Sequence, residues 1–217
     1  MTRKSHLIAV LAAAGLVTAC ASMMEDKSMS FFITSASPGK GGDLGGLAGA
    51  DAWCKQLATA AGQGNKNWRA YLSTEPAGSQ GAVHARDRIG HGPWYNAKGV
   101  MIAANVEELH GKNNLTKENN IDEKGAVHAG RGDPPPNVHD ILTGSAPDGR
   151  AVGGATCNNW TASSGSSAMV GHADRNGTNP DPVANVSWNA SHKTPGCGTA
   201  DLAKVGGAGY FYCFAAR

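Results

Sequence analysis

The sequence predicts one α+β domain of short strands, two helices and long loops, and three observations predict it. Glycine is abundant, 30 of 217 residues, about twice the usual share of roughly 7%. Leu, Ile, Val and Phe together number only 33, few for a packed core. The apolar stretches are short, some alternating like strands and some spaced like helices. Low aliphatic content signals disorder only where charge is high, and here 17% of residues are charged. The 30 glycines and 10 prolines stay below the level of a low-complexity chain. A formal net charge of +2 leaves no electrostatic footprint for nucleic acid. Such a domain needs another source of stability, and five cysteines are at hand.

Residues 1–20 read as a targeting segment: Arg3 and Lys4, an apolar run from Leu7 to Val17, then small residues. The run is too short to span a bilayer. Its end, Val17-Thr18-Ala19-Cys20, resembles a bacterial lipobox, whose cysteine is lipidated and becomes the mature N-terminus. The alternative is ordinary cleavage near Ala19, leaving Cys20 a free thiol. Ala21 stands where an aspartate is associated with inner-membrane retention, so the resemblance implies the outer membrane. Removing 1–20 leaves 17 basic and 17 acidic residues, a formally neutral chain with Cys54, Cys157, Cys197 and Cys213. In an oxidising compartment two disulfides follow. Spacing alone leaves all three pairings open, and no C-x-x-C pair favours a zinc ribbon or a thioredoxin-like motif.

Residues 21–29 read as a polar tether and 30–217 as the domain. Ser30 to Thr34 is the first strand. After a Gly-rich bend, Leu47, Ala50, Cys54, Leu57, Ala58 and Ala61 recur at helical spacing until Gly62 and Gly64 stop the helix. Trp68 to Thr74 alternates as a strand. Val100 leads into a second helix at 105–110. Residues 111–137 read as a polar excursion. Asp140 to Thr143 and Ala155 to Thr161 read as short strands, 162–195 as a long loop region, and Tyr210 to Phe214 as the closing strand. Long loops between cysteines are stapled, not tails.

Five stretches in this order resemble the C-type lectin-like fold, endostatin-like branch. They are Gly46-Leu47-Ala48-Gly49-Ala50-Asp51-Ala52-Trp53-Cys54, Trp68-Arg69-Ala70-Tyr71-Leu72-Ser73-Thr74, Gly144-Ser145-Ala146-Pro147-Asp148-Gly149-Arg150, Cys157-Asn158-Asn159-Trp160 and Tyr210-Phe211-Tyr212-Cys213. They span nearly all of 30–217. The resemblance implies first-to-last and middle-to-middle pairing, Cys54–Cys213 and Cys157–Cys197.

It also implies a ligand site in 162–195, where Asp174, Arg175, Asn176, Asp181, Trp188, Asn189 and His192 gather polar groups beside an aromatic ring. Asn179-Pro180-Asp181 and Trp188-Asn189 are similar to the sugar-site motifs of calcium-dependent lectins, although Ala190 replaces the final aspartate. Asp174, Asn176, Asp181 and Asn189 are accordingly the candidate calcium ligands, since a hard cation takes oxygen donors. For Trp188 a core anchor is the alternative.

His139-Asp140 and His172-x-Asp174 are the tightest acid–histidine neighbours, but no zinc-protease spacing and no nucleophile motif accompanies them, so they read as surface or structural groups. The zinc site of endostatins does not transfer, because no histidine lies between Cys20 and His84. Arg86-Asp87-Arg88 reads as a solvated cluster, Arg131-Gly132-Asp133 as a turn before Pro134, and the five N-x-[ST] sequons as a consequence of composition.

The expectation is therefore a non-catalytic module, lipid-anchored at the bacterial outer membrane, that binds glycan or protein through 162–195. The alternatives are an envelope structural lipoprotein and an enzyme on a lectin-like scaffold. Calcium is the candidate ion, and nucleic acid is not an expected partner.

Overall fold

A computed structural model describes residues 26–216. The targeting segment 1–20, the lipidation candidate Cys20 and most of the tether lie outside them. In chain order the elements are β1 (Phe31–Ile33), α1 (Gly46–Ala60), β2 (Trp68–Ala70), α2 (Ala85–Arg88), β3 (Trp94–Tyr95), β4 (Met101–Ala103) and α3 (Val106–His110). There follow β5 (Asp140–Leu142), α4 (Cys157–Trp160), β6 (Met169–His172), α5 (Pro182–Asn185), β7 (His192–Lys193), α6 (Thr199–Val205) and β8 (Gly207–Ala215). The domain is α+β, with a six-stranded sheet ordered β1-β8-β5-β6-β7, β2 pairing β8 as well, and a separate β3–β4 pair.

The nine-residue β8 is the spine of the sheet. Its first half runs parallel to β5, with Asp140 opposite Gly207 and Leu142 opposite Phe211. Its second half lies between β1 and β2, with Phe32 and Ala70 both opposite Cys213. Both faces of this strand are covered. Phe32, Phe211 and Cys213 pack toward α1 with Trp68, Leu142 and Trp160. Phe31, Tyr212 and Phe214 pack on the other face with Tyr71, Trp94, Ile102 and Trp188. A strand buried on both sides reads as a continuous apolar run, as Phe31-Phe32-Ile33 and Tyr210 to Phe214 do. The scarcity of aliphatic residues is met by aromatic ones: Trp94, Trp160, Tyr71 and Tyr212 are among the largest fully buried side chains.

α1 falls where the spacing places it and buries Ala50, Cys54 and Ala58. Cys54 joins Cys213 across 159 positions and Cys157 joins Cys197 across 40, with Cα–Cα distances of 5.6 and 5.7 Å. Both are the pairings implied above. Loop-entropy bookkeeping gives the first about 5 kcal/mol and the second about 4 kcal/mol.

Four local expectations are corrected. Ala155 to Thr161 is not a strand: Cys157, Asn158, Asn159 and Trp160 have φ of 47°, 52°, 55° and 67°, one turn of left-handed backbone. Side chains hold it there. Asn159 bonds the backbone of Glu75 through both amide atoms, and Trp160 Nε1 donates to the Ser73 carbonyl at 2.8 Å. Residues 162–195 are not one loop, since β6, α5 and β7 lie within them. These elements have four, four and two residues, too short to show a period. The helices number six among the described residues, not two. α6 escapes notice because its seven residues bury only Leu202 and its N-cap, Gly198, offers no side-chain bond. Arg88, too, is not solvated: its guanidinium holds both carboxylate oxygens of Asp51 at 2.9 and 2.7 Å, with both side chains largely buried.

Candidate functional site

The free end of the sheet gathers four titratable side chains through strand register. Asp140 opens β5 and lies directly opposite His172 on β6. His192 on β7 lies opposite Val170, two residues before His172. Direct and diagonal cross-strand neighbours share a face, so Asp140, His172 and His192 point the same way. His139 joins them at the strand end, where its carbonyl still accepts from Ala173 N at 2.8 Å. Glycine makes the closeness possible: a Cβ on Gly171 would lie 1.8 Å from the Trp188 carbonyl oxygen, so the 187–189 backbone can cross β6 only there.

The side chain of Asp140 is fully buried and neither carboxylate oxygen has a hydrogen-bond partner. His139 Nε2 lies 3.3 Å and His172 Nε2 3.4 Å from Oδ1, and His192 Nε2 lies 3.3 Å from Oδ2. These spacings exceed those of charge-assisted hydrogen bonds, about 2.7–2.9 Å. The other ring nitrogens are anchored outward. His139 Nδ1 meets Asp174 Oδ1 at 2.8 Å, His172 Nδ1 the Asn185 carbonyl at 2.9 Å, and His192 Nδ1 the Lys193 carbonyl at 3.2 Å. The rings of His139 and His172 are parallel with centroids 4.6 Å apart. Burial pushes His172 below the ordinary histidine pKa, while the contact with Asp140 raises His192. Burial works against ionisation of Asp174, but its bonds from His139 and from Arg131 N prevail and hold its carboxyl below the usual range. Donor atoms of His139, Asp140 and His172 all lie within 4.8 Å of one another, a grouping able to hold a metal ion.

His192 is the exposed member, its side chain 30% accessible, and it forms part of the floor of an open cleft of about 1100 Å³. The walls come from Thr178–Pro180, from α6 with Lys204, and from Arg131, Asn137 and Tyr210. Gly206, left-handed at φ +98°, caps α6 and bonds its carbonyl to Asp140 N at 2.9 Å, so cleft wall and carboxylate share backbone. A second cavity of about 140 Å³ lies beside Arg175, Trp188, Asn189, His110 and Asn113. Arg175 also has left-handed backbone, φ 54°, and its Nη1 donates to Asn113 Oδ1 at 3.2 Å.

The residues expected to bind ligand thus separate. His192 lies on the cleft floor, and Arg175, Trp188 and Asn189 line the small cavity. Trp188 is a core side chain, 3% exposed, with its ring against Tyr71 and Tyr212. The candidate calcium ligands have separate partners. Asp174 accepts from His139, Arg131 N and Asn176 N. Asp181 caps α5 by accepting from Val183 N at 2.8 Å. Asn189 is buried and donates to Tyr71 Oη and to the Ala146 and Pro147 carbonyls.

His139, Asp140 and His172 are not surface groups: all three are buried. The His139-Asp140 and His172-x-Asp174 pairs were the legible signal, but only strand register brings them together with His192. Among the described residues no helix is long and apolar enough to cross a membrane. No protein-family model and no curated protein matches the chain.

Proposed function

We propose that this chain is a non-catalytic binding module of C-type lectin-like fold, endostatin-like branch, lipid-anchored through Cys20 at a bacterial outer membrane and taking glycan in the cleft above His192. The cleft carries the reading. Its volume of about 1100 Å³ accommodates several sugar units and lies just above the usual range for ligand sites, about 300–1,000 Å³. The 162–195 region supplies one wall, and Arg131 and Lys204, the latter shared with Asp201 at 2.8 Å, bring cations to the lining that suit acidic sugars. Further support comes from the nested disulfides and from the antiparallel pairing of the first and last strands, which closes the domain on itself. All four described cysteines are in disulfides, so thiol-based oxidase chemistry has no thiol among these residues.

A glycan array followed by calorimetry, with and without calcium, tests the reading. Acidic glycans are expected to bind, and Arg131→Ala with Lys204→Ala to weaken them at least about fivefold, roughly 1 kcal/mol. No binding to any envelope or host glycan, together with a stoichiometric protein partner in pull-downs, would replace it by a structural envelope lipoprotein. Radiolabelled palmitate entering the wild type but not Cys20→Ser tests the anchor.

A further inference from the structure

The geometry points to a zinc-class metal site, new to this chain, in which His139, His172 and the Asp140 carboxylate are the three grouped ligands and His192, beside the other carboxylate oxygen, turns in as the fourth.

Lone-pair bookkeeping carries it. Each Nδ1 faces an atom that can only accept: an ionised carboxylate at His139 and backbone carbonyls at His172 and His192. A neutral imidazole has one N–H, so each ring places its proton on Nδ1 and turns a bare Nε2 lone pair inward. The fourth group there is Asp140, whose two oxygens are buried and lack any hydrogen bond. Three acceptor nitrogens and an anion would then face one another in a site nearly closed to water. A cation in the middle resolves this arrangement for all four groups at once. A single proton on one ring satisfies one carboxylate oxygen but leaves the other two nitrogen lone pairs facing an acceptor.

Distances agree. Ligands about 2.0–2.1 Å from a shared tetrahedral ion lie about 3.3–3.4 Å from one another. His139 Nε2 and His172 Nε2 lie 3.3 and 3.4 Å from Asp140 Oδ1, and the donor atoms of these three residues are within 4.8 Å of one another; His192 Nε2 is 3.3 Å from Oδ2 and outside that grouping, so it has to move inward to complete a tetrahedron. The outward bonds are those that orient metal-bound histidines, above all the carboxylate of Asp174 on His139. Imidazole nitrogens with a single carboxylate suit zinc and its neighbours, whereas calcium and magnesium take oxygen ligands. Four protein ligands make a closed site, which marks a structural ion rather than a catalytic one. The ion would join β5, β6 and β7 in a clip under the cleft floor. This inference stands whether or not the cleft takes glycan.

The test uses the purified full chain. Metal content is measured by mass spectrometry, and zinc chloride is titrated into chelator-treated protein by calorimetry, with cobalt, nickel, copper, manganese and calcium in parallel. The expected result is one zinc per chain, bound at least tenfold weaker in His192→Ala and at least a hundredfold weaker in Asp140→Asn. Asp174→Asn, which leaves all four ligands in place, is expected to lose about 10–100-fold. His91→Ala, an exposed histidine elsewhere, is expected to bind as the wild type does. Near-ultraviolet circular dichroism checks each variant's fold, and the half-exposed His192 is the ligand least needed for folding. No stoichiometric transition metal, or wild-type affinity in a folded His192→Ala, overturns the four-ligand site. A preference for calcium or manganese overturns its assignment to the zinc class.

Discussion

The two ends of the main sheet are held by opposite chemistry. Where β1 and β2 flank the second half of β8, a disulfide from α1 enters the sheet at Cys213, and the surrounding side chains are apolar on both faces. Where β5, β6 and β7 meet, the strands are two to four residues long and a buried carboxylate stands among three imidazoles. The first end is fixed by covalent and apolar contacts that persist in any non-reducing buffer. The second is built on buried titratable groups instead, and the ion proposed above would make its order conditional. Binding surfaces belong at such an end, because adjustable elements come from the less stable parts of a fold, and the large cleft lies there.

The largest break in this contrast is expected from Cys54→Ala with Cys213→Ala. Opening a loop of 159 positions costs about 5 kcal/mol, read as a fall in the urea midpoint; an unchanged midpoint would mean the apolar core alone holds that end. Cys157→Ala with Cys197→Ala is expected to cost about 4 kcal/mol and to release the left-handed turn at Cys157–Trp160, visible as faster amide exchange there.

At the polar end the sign itself is the test. In chelator-treated protein Asp140→Asn removes a buried charge and is expected to stabilise by about 1–2 kcal/mol, whereas in zinc-treated protein it destabilises. Equal effects in the two conditions would dissolve the contrast. Asp181→Ala removes the cap of α5 and is expected to cost about 1 kcal/mol, with the loss confined to exchange of residues 182–187.

The smallest effect concerns acid. Burial holds His110 and His128 below the ordinary histidine value of 6.5, and His128 Nε2 is buried with no hydrogen-bond partner among the described residues. With the folded pKa below the unfolded one, the unfolded chain takes up more protons as pH falls. Stability is therefore full above about 6.5 and declines below it. His128→Gln is expected to flatten that decline in urea unfolding between neutral and mildly acidic pH; an unaltered slope would remove His128 as a cause.

Much of the first end was legible in the sequence. Phe31-Phe32-Ile33, the helical spacing around Cys54 and the closing run to Phe214 each express a local period or a double-sided burial, and local patterns survive in one dimension. Little of the second end was. His139-Asp140 and His172 are 32 positions apart, and His192 is 20 further on, with glycine, serine and asparagine between them that fit a loop as well as two-residue strands.

The sequence by itself determined an α+β domain, the position of α1, the first and last strands and the four domain cysteines available for disulfides, because each rests on neighbours within a few turns or on simple counting. Only the tertiary structure decided that Trp188 and Asn189 are interior, that Cys157–Trp160 winds left-handed, and that three histidines surround one aspartate. These depend on long-range register. Asp140 lies opposite His172 and His192 beside both through hydrogen bonds between distant strands, and no residue type announces its partner across a ladder.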